Sequence, residues 1–276
     1  MQTVHVRCAG LDVHKETVVA CVRVVKREEV HHEVRTFSTV TSSLYELAQW
    51  LQEERVTKVA MEATGVYWRP VWHILEGGGL DLLLANAAHI KAVPGRKTDV
   101  NDATWLADLV AHGLIRPSFV PPTQFQELRD LTRARKQSTR ERTQHVQRIH
   151  KVLEDANIKV TSVISDVMGI SGRKFLAAII AGITDPVVLA RLGSPRLHAS
   201  PETLAEALRG HVTDHHRFML QFYLDQVDDT DRALSRLDEQ VAALLEPFRE
   251  QVEHVSTVPG VGPTVAAAIV AEIGID

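Results

Sequence analysis

Two cysteines, Cys8 and Cys21, are all that the 276 residues contain. Both stand in apolar, β-like runs, which excludes a disulfide framework and points to small buried hydrophobes in a reducing cytosol. No apolar run approaches the ~18 residues of a membrane span. The opening Met1-Gln2-Thr3-Val4-His5 lacks the shape of a signal peptide, so a soluble cytoplasmic protein is expected. No Cys–His set competes for zinc, because His31-His32 and the pair His211 and His215 lack a third ligand. Charge of one sign is not in excess either. A formal net charge of -4 argues against indiscriminate coating of nucleic acid, but it leaves room for a local basic patch.

What is present is a globular chain long enough for two domains. Apolar residues alternate and then run together from Val4 to Val13, with Asp12 near the end of the run. Thr17 to Val22 and Val30 to Phe37 follow after tight connections, and the three read as an antiparallel meander. The period then changes. Ser42-Ser43 precede a helical stripe of Leu44, Leu47, Ala48 and Leu51. Val56 to Met61 is a short strand delivering Glu62, and Gly65 turns into a helix through Trp68, Trp72 and Leu75 that Gly77-Gly78-Gly79 stops. Leu80 to Ala85 is nearly all apolar, as buried parallel strands are. A loop through Pro94-Gly95 leads to Asp99, Asp102 and a last helix. The order predicts an α/β domain with a mixed sheet.

Four acids sit at junctions of this domain. Asp12 and Glu62 end different strands, and ligands of open α/β sheets gather at the carboxyl ends of strands. Asp99 and Asp102 share one face of a first helical turn. Four carboxylates at one edge repel unless divalent cations neutralise them, and hard oxygen ligands suit Mg²⁺ or Mn²⁺. Two such ions ~4 Å apart serve in-line displacement at a phosphodiester. The alternative gives each acid a separate local role, with Asp12 at a hairpin, Glu62 in a solvated loop, Asp99 as an N-cap and Asp102 on the helix dipole. Lys91, Arg96 and Lys97, just before the acid pair, are candidates for substrate phosphates or members of a solvated loop. Tyr67, Trp68 and Trp72, at helical spacing, read as core before they read as base-stacking groups.

Gly10-Leu11-Asp12-Val13-His14-Lys15, Met61-Glu62-Ala63-Thr64-Gly65-Val66-Tyr67 and Lys97-Thr98-Asp99-Val100-Asn101-Asp102-Ala103 together resemble the DEDD transposases of bacterial insertion sequences. That family is related to the Piv-type DNA invertases and includes bridge-RNA-guided recombinases. The resemblance implies an RNase H or RuvC-like first domain whose catalytic, metal-binding acids are Asp12, Glu62, Asp99 and Asp102. It implies DNA as substrate, a guide RNA as a further partner, and a homodimer or higher oligomer associated with the nucleoid.

Beyond Pro117, Pro121 and Pro122, the stretch Gln124 to Glu154 is helical in character, without Gly or Pro. Between Arg129 and Lys151 eight Lys/Arg face two Asp/Glu, whereas Asp225 to Glu253 holds nine acids and three Arg. His215 to Glu246 carries a heptad-like series from Leu220 to Leu244. The two helices pair as an antiparallel coiled coil by opposite charge, or the basic one holds nucleic-acid backbone through Arg133, Arg140 and Arg148; both hold if those arginines face outward. The resemblance continues through Gly182-Ile183-Thr184-Asp185-Pro186. Val258-Pro259-Gly260-Val261-Gly262-Pro263-Thr264 then looks like a helix-hairpin-helix, with Gly260 and Gly262 opening a helix N-terminus onto DNA phosphate. In the family this motif begins a second conserved domain that supplies a serine nucleophile. None of Ser194, Ser200, Ser235 or Ser256 matches that serine, so no nucleophile is assigned and full strand exchange is not expected of these residues alone. Val265, Ala268, Ile269 and Ile273 form an apolar face of the terminal helix that awaits a cover.

The expected organisation is thus a RuvC-like catalytic domain over 1–120, a helical coiled-coil region over 121–254, and the start of a further domain over 255–276. Two other functions remain open at this point. An actin-like ATPase or sugar kinase shares Gly10-Leu11-Asp12 at a first strand's end but lacks a Gly-rich phosphate loop here. A non-catalytic nucleic-acid-binding protein would use the acids structurally.

Overall fold

The computed structural model describes residues 3–27, 29–62, 65–93 and 101–275, and the chain divides into two compact units, Met1–Val120 and Pro121–Asp276. In the first unit β1 (Arg7–Val13), β2 (Thr17–Lys26) and β3 (Glu29–Ser38) form the antiparallel meander. Helix α1 (Thr41–Glu53) crosses to β4 (Lys58–Glu62), and α2 (Trp68–Glu76) crosses to β5 (Asp81–Ala85). β4 pairs in parallel with β1 and β5 with β4, so the sheet runs β3-β2-β1-β4-β5. Two helices, α3 (Ala87–Ala92) and α4 (Asp102–Ala111), complete the unit. This is the mixed sheet with flanking helices that the resemblance implies.

Alternation along the strands gives the sheet two unlike faces. On one, Leu11, Val13, Val18, Val22 and Met61 pack against Leu44, Leu47 and Leu51 of α1 and Val71, Trp72 and Leu75 of α2. On the other the strands present small residues under α4. Cys8, Ala60 and Ala85 meet Leu106, Leu109 and Val110, and Cys21 meets Ala103 and Ala107. Small side chains let a helix backbone come close, and Gly10 takes this to its limit. A Cβ there would stand 2.3 Å from the Ala103 carbonyl oxygen and 2.4 Å from the Ala107 nitrogen.

Some boundaries differ from the sequence reading. β1 starts at Arg7, because the Val4 and His5 amides donate to the Ala111 carbonyl at the end of α4. Ser42 and Ser43 do not cap α1; Val40 precedes the helix without a side-chain cap, and the Ser43 hydroxyl accepts from the Ser38 amide. Helix α3, capped by the Asn86 side chain on the Ala88 amide, occupies a stretch read as loop. α4 is capped by Asn101, whose Oδ1 accepts from the Ala103 amide at 2.8 Å; Asp99 lies outside the described residues.

The second unit is helical. Its members are α5 (Thr123–Asp155), α6 (Ile170–Ile180), α7 (Pro186–Ala190), α8 (Pro201–Ala207), α9 (Asp214–Leu245), α10 (Arg249–Ser256) and α11 (Pro263–Ile273). α5 and α9 run antiparallel: Asp155 meets His216, Arg142 meets Asp231 and Arg135 meets Asp238, and the Phe125 ring meets Phe248 just beyond the end of α9. Opposite charges thus set the register, as they do in coiled coils. α6 closes one side of the pair, with Phe175, Leu176 and Ile179 against Ile149, Leu153, Leu220 and Val227. The Arg173 guanidinium of α6 bridges to Asp228 and Asp231. At the other end Val270 and Ala271 of α11 pack with Phe125, Leu128 and Val241. Arg129 caps the end of α11 by donating to the Ala271 and Glu272 carbonyls. Ala267, Val270 and Ala271, with Val255 beside them, thus belong to a core cluster of this unit. Among the described residues no helix is long and apolar enough to cross a membrane.

Candidate active site

Asp12 and Glu62 each stand one residue beyond the Leu11–Met61 pair of the parallel β1–β4 ladder. Equivalent positions on neighbouring parallel strands point to one face, with backbones about 4.8 Å apart. That face is the one covered by α4, because Gly10 and Ala60, two residues earlier on each strand, lie under the helix. The direction of α4 is fixed by its contacts. Its last residue, Ala111, lies near the start of β1, and the Cys8 thiol donates to the Ala107 carbonyl at 3.4 Å. Gly10, two residues on, faces Ala103. The N-terminus of α4, whose first residue is Asp102, is therefore the end that approaches the carboxyl ends of β1 and β4. The helix dipole at that end favours carboxylates there by roughly 0.3–1 kcal/mol each.

Asp12 is mostly shielded, with 17% of its side chain exposed, and its Oδ2 lies 3.0 Å from Nε2 of His14. Asp12 and Glu62, on one face and one end of the sheet, are hard oxygen donors of the kind that suits a hard divalent ion. Among the described residues, however, no three His, Cys, Asp or Glu side chains make a group that could hold a metal. The fourth acid of the motif, Asp99, falls outside the described residues, as do Arg96 and Lys97. Lys91 belongs to α3.

Three residues that the sequence reading missed hold α4 in place. The Arg23 side chain is 4% exposed beneath the helix, and its Nε donates to Asp108 Oδ1 at 2.9 Å. The same oxygen is 3.0 Å from Nε2 of His32 on β3. A cation between two valines in an apolar strand, Val22-Arg23-Val24, was the available signal, since a buried guanidinium requires a partner. Cys8 and Cys21 serve this face as small apolar groups. Burial pushes the Cys8 thiol up to about 12 and raises that of Cys21 as well.

The remaining candidates lie in the second unit. Arg133 is exposed yet forms a bidentate pair with Glu272 of α11 at 2.8 and 2.9 Å. Arg140 and Arg148 are exposed on α5, whereas Arg135 and Arg142 are taken up by α9. Gly260 has φ +86°, a conformation that calls for glycine in the turn between α10 and α11; Gly262 precedes α11 with open space where a Cβ would stand. Trp72 is core and Trp68 packs edge-on against it at 5.8 Å, while Tyr67 is exposed. Ser200 caps α8 and the Ser256 hydroxyl donates to the Val252 carbonyl. Val265 and Ile273 are exposed, while Ala268 and Ile269 are half-buried.

Comparison with known proteins bears on the first unit most. A family model described as Transposase, that of the DEDD transposases of the IS110 type, matches residues 9–158. Among solved structures the chain is similar to RuvC from Thermus thermophilus, at 15% identity over 42% of this chain and 85% of that one, with a TM-score of 0.28. No curated protein matches the chain.

Proposed function

The chain belongs to the DEDD transposase family of the IS110 type, and from that premise we propose that it is a DNA recombinase whose cleavage centre is Asp12, Glu62, Asp99 and Asp102. The observation that carries this reading is the meeting of two strand ends and one helix start: Asp12 and Glu62 at equivalent ladder positions, on the face where α4 begins with Asp102. The family model spans Asp12, Glu62, Asp99 and Asp102, which favours a shared purpose over four local ones. It also displaces the actin-like ATPase or sugar kinase.

In this reading Asp12, Glu62, Asp99 and Asp102 would hold Mg²⁺ or Mn²⁺, which would supply Lewis acidity at a scissile phosphodiester. The residues of the chain do the rest. β1 and β4 fix the backbones of Asp12 and Glu62 through the ladder, and the close packing of α4 on Gly10 sets the position of Asp102. His14, 3.0 Å from Asp12, orients that carboxylate. Lys91, Arg96 and Lys97 are placed by sequence to meet substrate phosphates, with Arg133, Arg140, Arg148, Gly260 and Gly262 contributing to backbone binding in the second unit. Guidance by an RNA, assembly as a dimer or larger oligomer and association with the nucleoid are finer parts of the same reading.

Nicking of supercoiled plasmid carrying an element end tests it. Mg²⁺-dependent nicking by the wild-type chain, lost in Asp12→Asn and in Asp102→Asn, is the expected result. Equal nicking by all three would remove the acids from the chemistry.

A further inference from the structure

Two phenylalanines in the N-terminal half of α9 are left uncovered by the second unit. Phe218 is 67% exposed and Phe222 46%. They lie one helical turn apart, with ring centroids at 6.5 Å and planes within 16° of parallel. Phe222 continues edge-on into Tyr223 at 5.3 Å. The Arg148 guanidinium of α5 lies 5.8 Å from the centre of the Tyr223 ring. Beside this series a cleft of about 160 Å³ opens between α5 and α9, lined by Arg148, Lys151, His215, Met219 and Tyr223 among others. His215 sits three residues before Phe218 and four before Met219, so ring series and cleft share an edge.

A ring pair at this spacing adds only about 0.2–0.5 kcal/mol to its own helix, and α9 is already anchored by Leu220 and Val227. Helix stability does not account for two exposed rings. The charges around them are unequal in availability. Asp155 is engaged by His216, Asp214 by Arg217, and Asp225 by the Gln221 amide. Arg148 and Lys151 have no carboxylate partner among the described residues. Arg148 also lies 3.3 Å from Nδ1 of His145, so its charge is held in place without being neutralised. Flat apolar rings beside cations that lack a carboxylate suit a ligand with π-faces and regularly spaced negative charge. A second copy docking the same patch about a two-fold axis would bring these cations against one another, which disfavours self-association here.

We infer that Phe218, Phe222 and Tyr223, with Arg148 and Lys151, form a platform for an unpaired stretch of DNA, bases stacked on the rings and phosphates against the cations. The choice of DNA rests on the transposase reading; the stacking surface is measured by binding alone and needs no cleavage centre.

The test is fluorescence anisotropy of labelled oligothymidylate with the full chain in EDTA, so that the acid centre takes no part. Phe218→Leu and Phe222→Leu keep an apolar side chain but lose the ring, and each is expected to weaken binding by about tenfold. Phe218→Trp and Phe222→Trp should retain it. Arg148→Gln with Lys151→Gln should flatten the dependence on salt. Unchanged affinity in both leucine variants would overturn the inference. So would equal or tighter binding of oligouridylate, or loss of self-association by the leucine variants in sedimentation velocity with DNA binding intact. Nicking by the wild type alongside ring-independent binding sinks the platform alone; ring-dependent binding without any nicking sinks the cleavage reading alone.

Discussion

Gly10 carries a structural consequence out of proportion to its size. With the backbone of α4 at 2.3–2.4 Å from where a Cβ would stand, Gly10→Ala has to push the helix off the sheet, moving Asp102 with it. The expected cost is about 3 kcal/mol, the upper range for overpacking, read as a lower urea midpoint. Gly77→Ala, where nothing lies within 4 Å, is the control and should change little. The two thiols on the same face make a second case. Because burial holds Cys8 protonated up to about 12 against an ordinary 9.0, its contribution to stability is complete below pH 9.0. It is lost as the pH rises toward 12, where the unfolded chain gains by ionising. Thiol titration at pH 8 should find both cysteines unreactive in the native protein and both reactive in denaturant. Rapid native labelling would show that α4 does not seal this face.

At the scale of elements, α4 matters because it brings Asp102 to the strand ends, and its attachment is electrostatic as well as apolar. Asp108 receives Arg23 from below and His32 from β3, while Nη1 of Arg23 is already buried without a hydrogen-bond partner among the described residues. Asp108→Ala would take the partner of Nε as well, at a cost of about 2 kcal/mol. Adding Arg23→Met, which removes the stranded charge, should recover most of that loss. A double variant no more stable than the single one would contradict this account of the clamp. The antiparallel α5–α9 pair follows the same logic on a longer scale. The charge imbalance visible in the sequence resolves into register-setting pairs at Arg135 and Arg142 and outward cations at Arg140 and Arg148. Arg133, the third arginine expected to face outward, pairs instead with Glu272 of α11.

Across the whole molecule, what could be read from the sequence was local, and what could not was cross-chain. Strand order, the ends at Asp12 and Glu62 and both long helices follow from period and turn residues, each set by neighbours in sequence. Asn101 as the cap of α4 was missed because Asp99 suits a cap equally well by residue type. The Arg23–Asp108–His32 cluster joins positions 85 and 76 residues apart, and no local pattern announces such a meeting. The exposed rings of α9 escaped notice because a helical aromatic spacing reads as core until the packing partner proves absent. Family membership ties the first unit to transposition, and the parallel ladder supplies the physical reason that Asp12 and Glu62 stand at one end of the sheet.

The central claim is that these acids together hold a divalent ion. Isothermal titration of Mn²⁺ into the metal-free chain tests it most directly. Saturable binding by the wild type is predicted, weakened by at least about tenfold in Asp12→Asn, Glu62→Gln and Asp99→Asn, each melting no lower than the wild type in EDTA. Binding of equal strength in all the variants, or none in the wild type, would contradict the account.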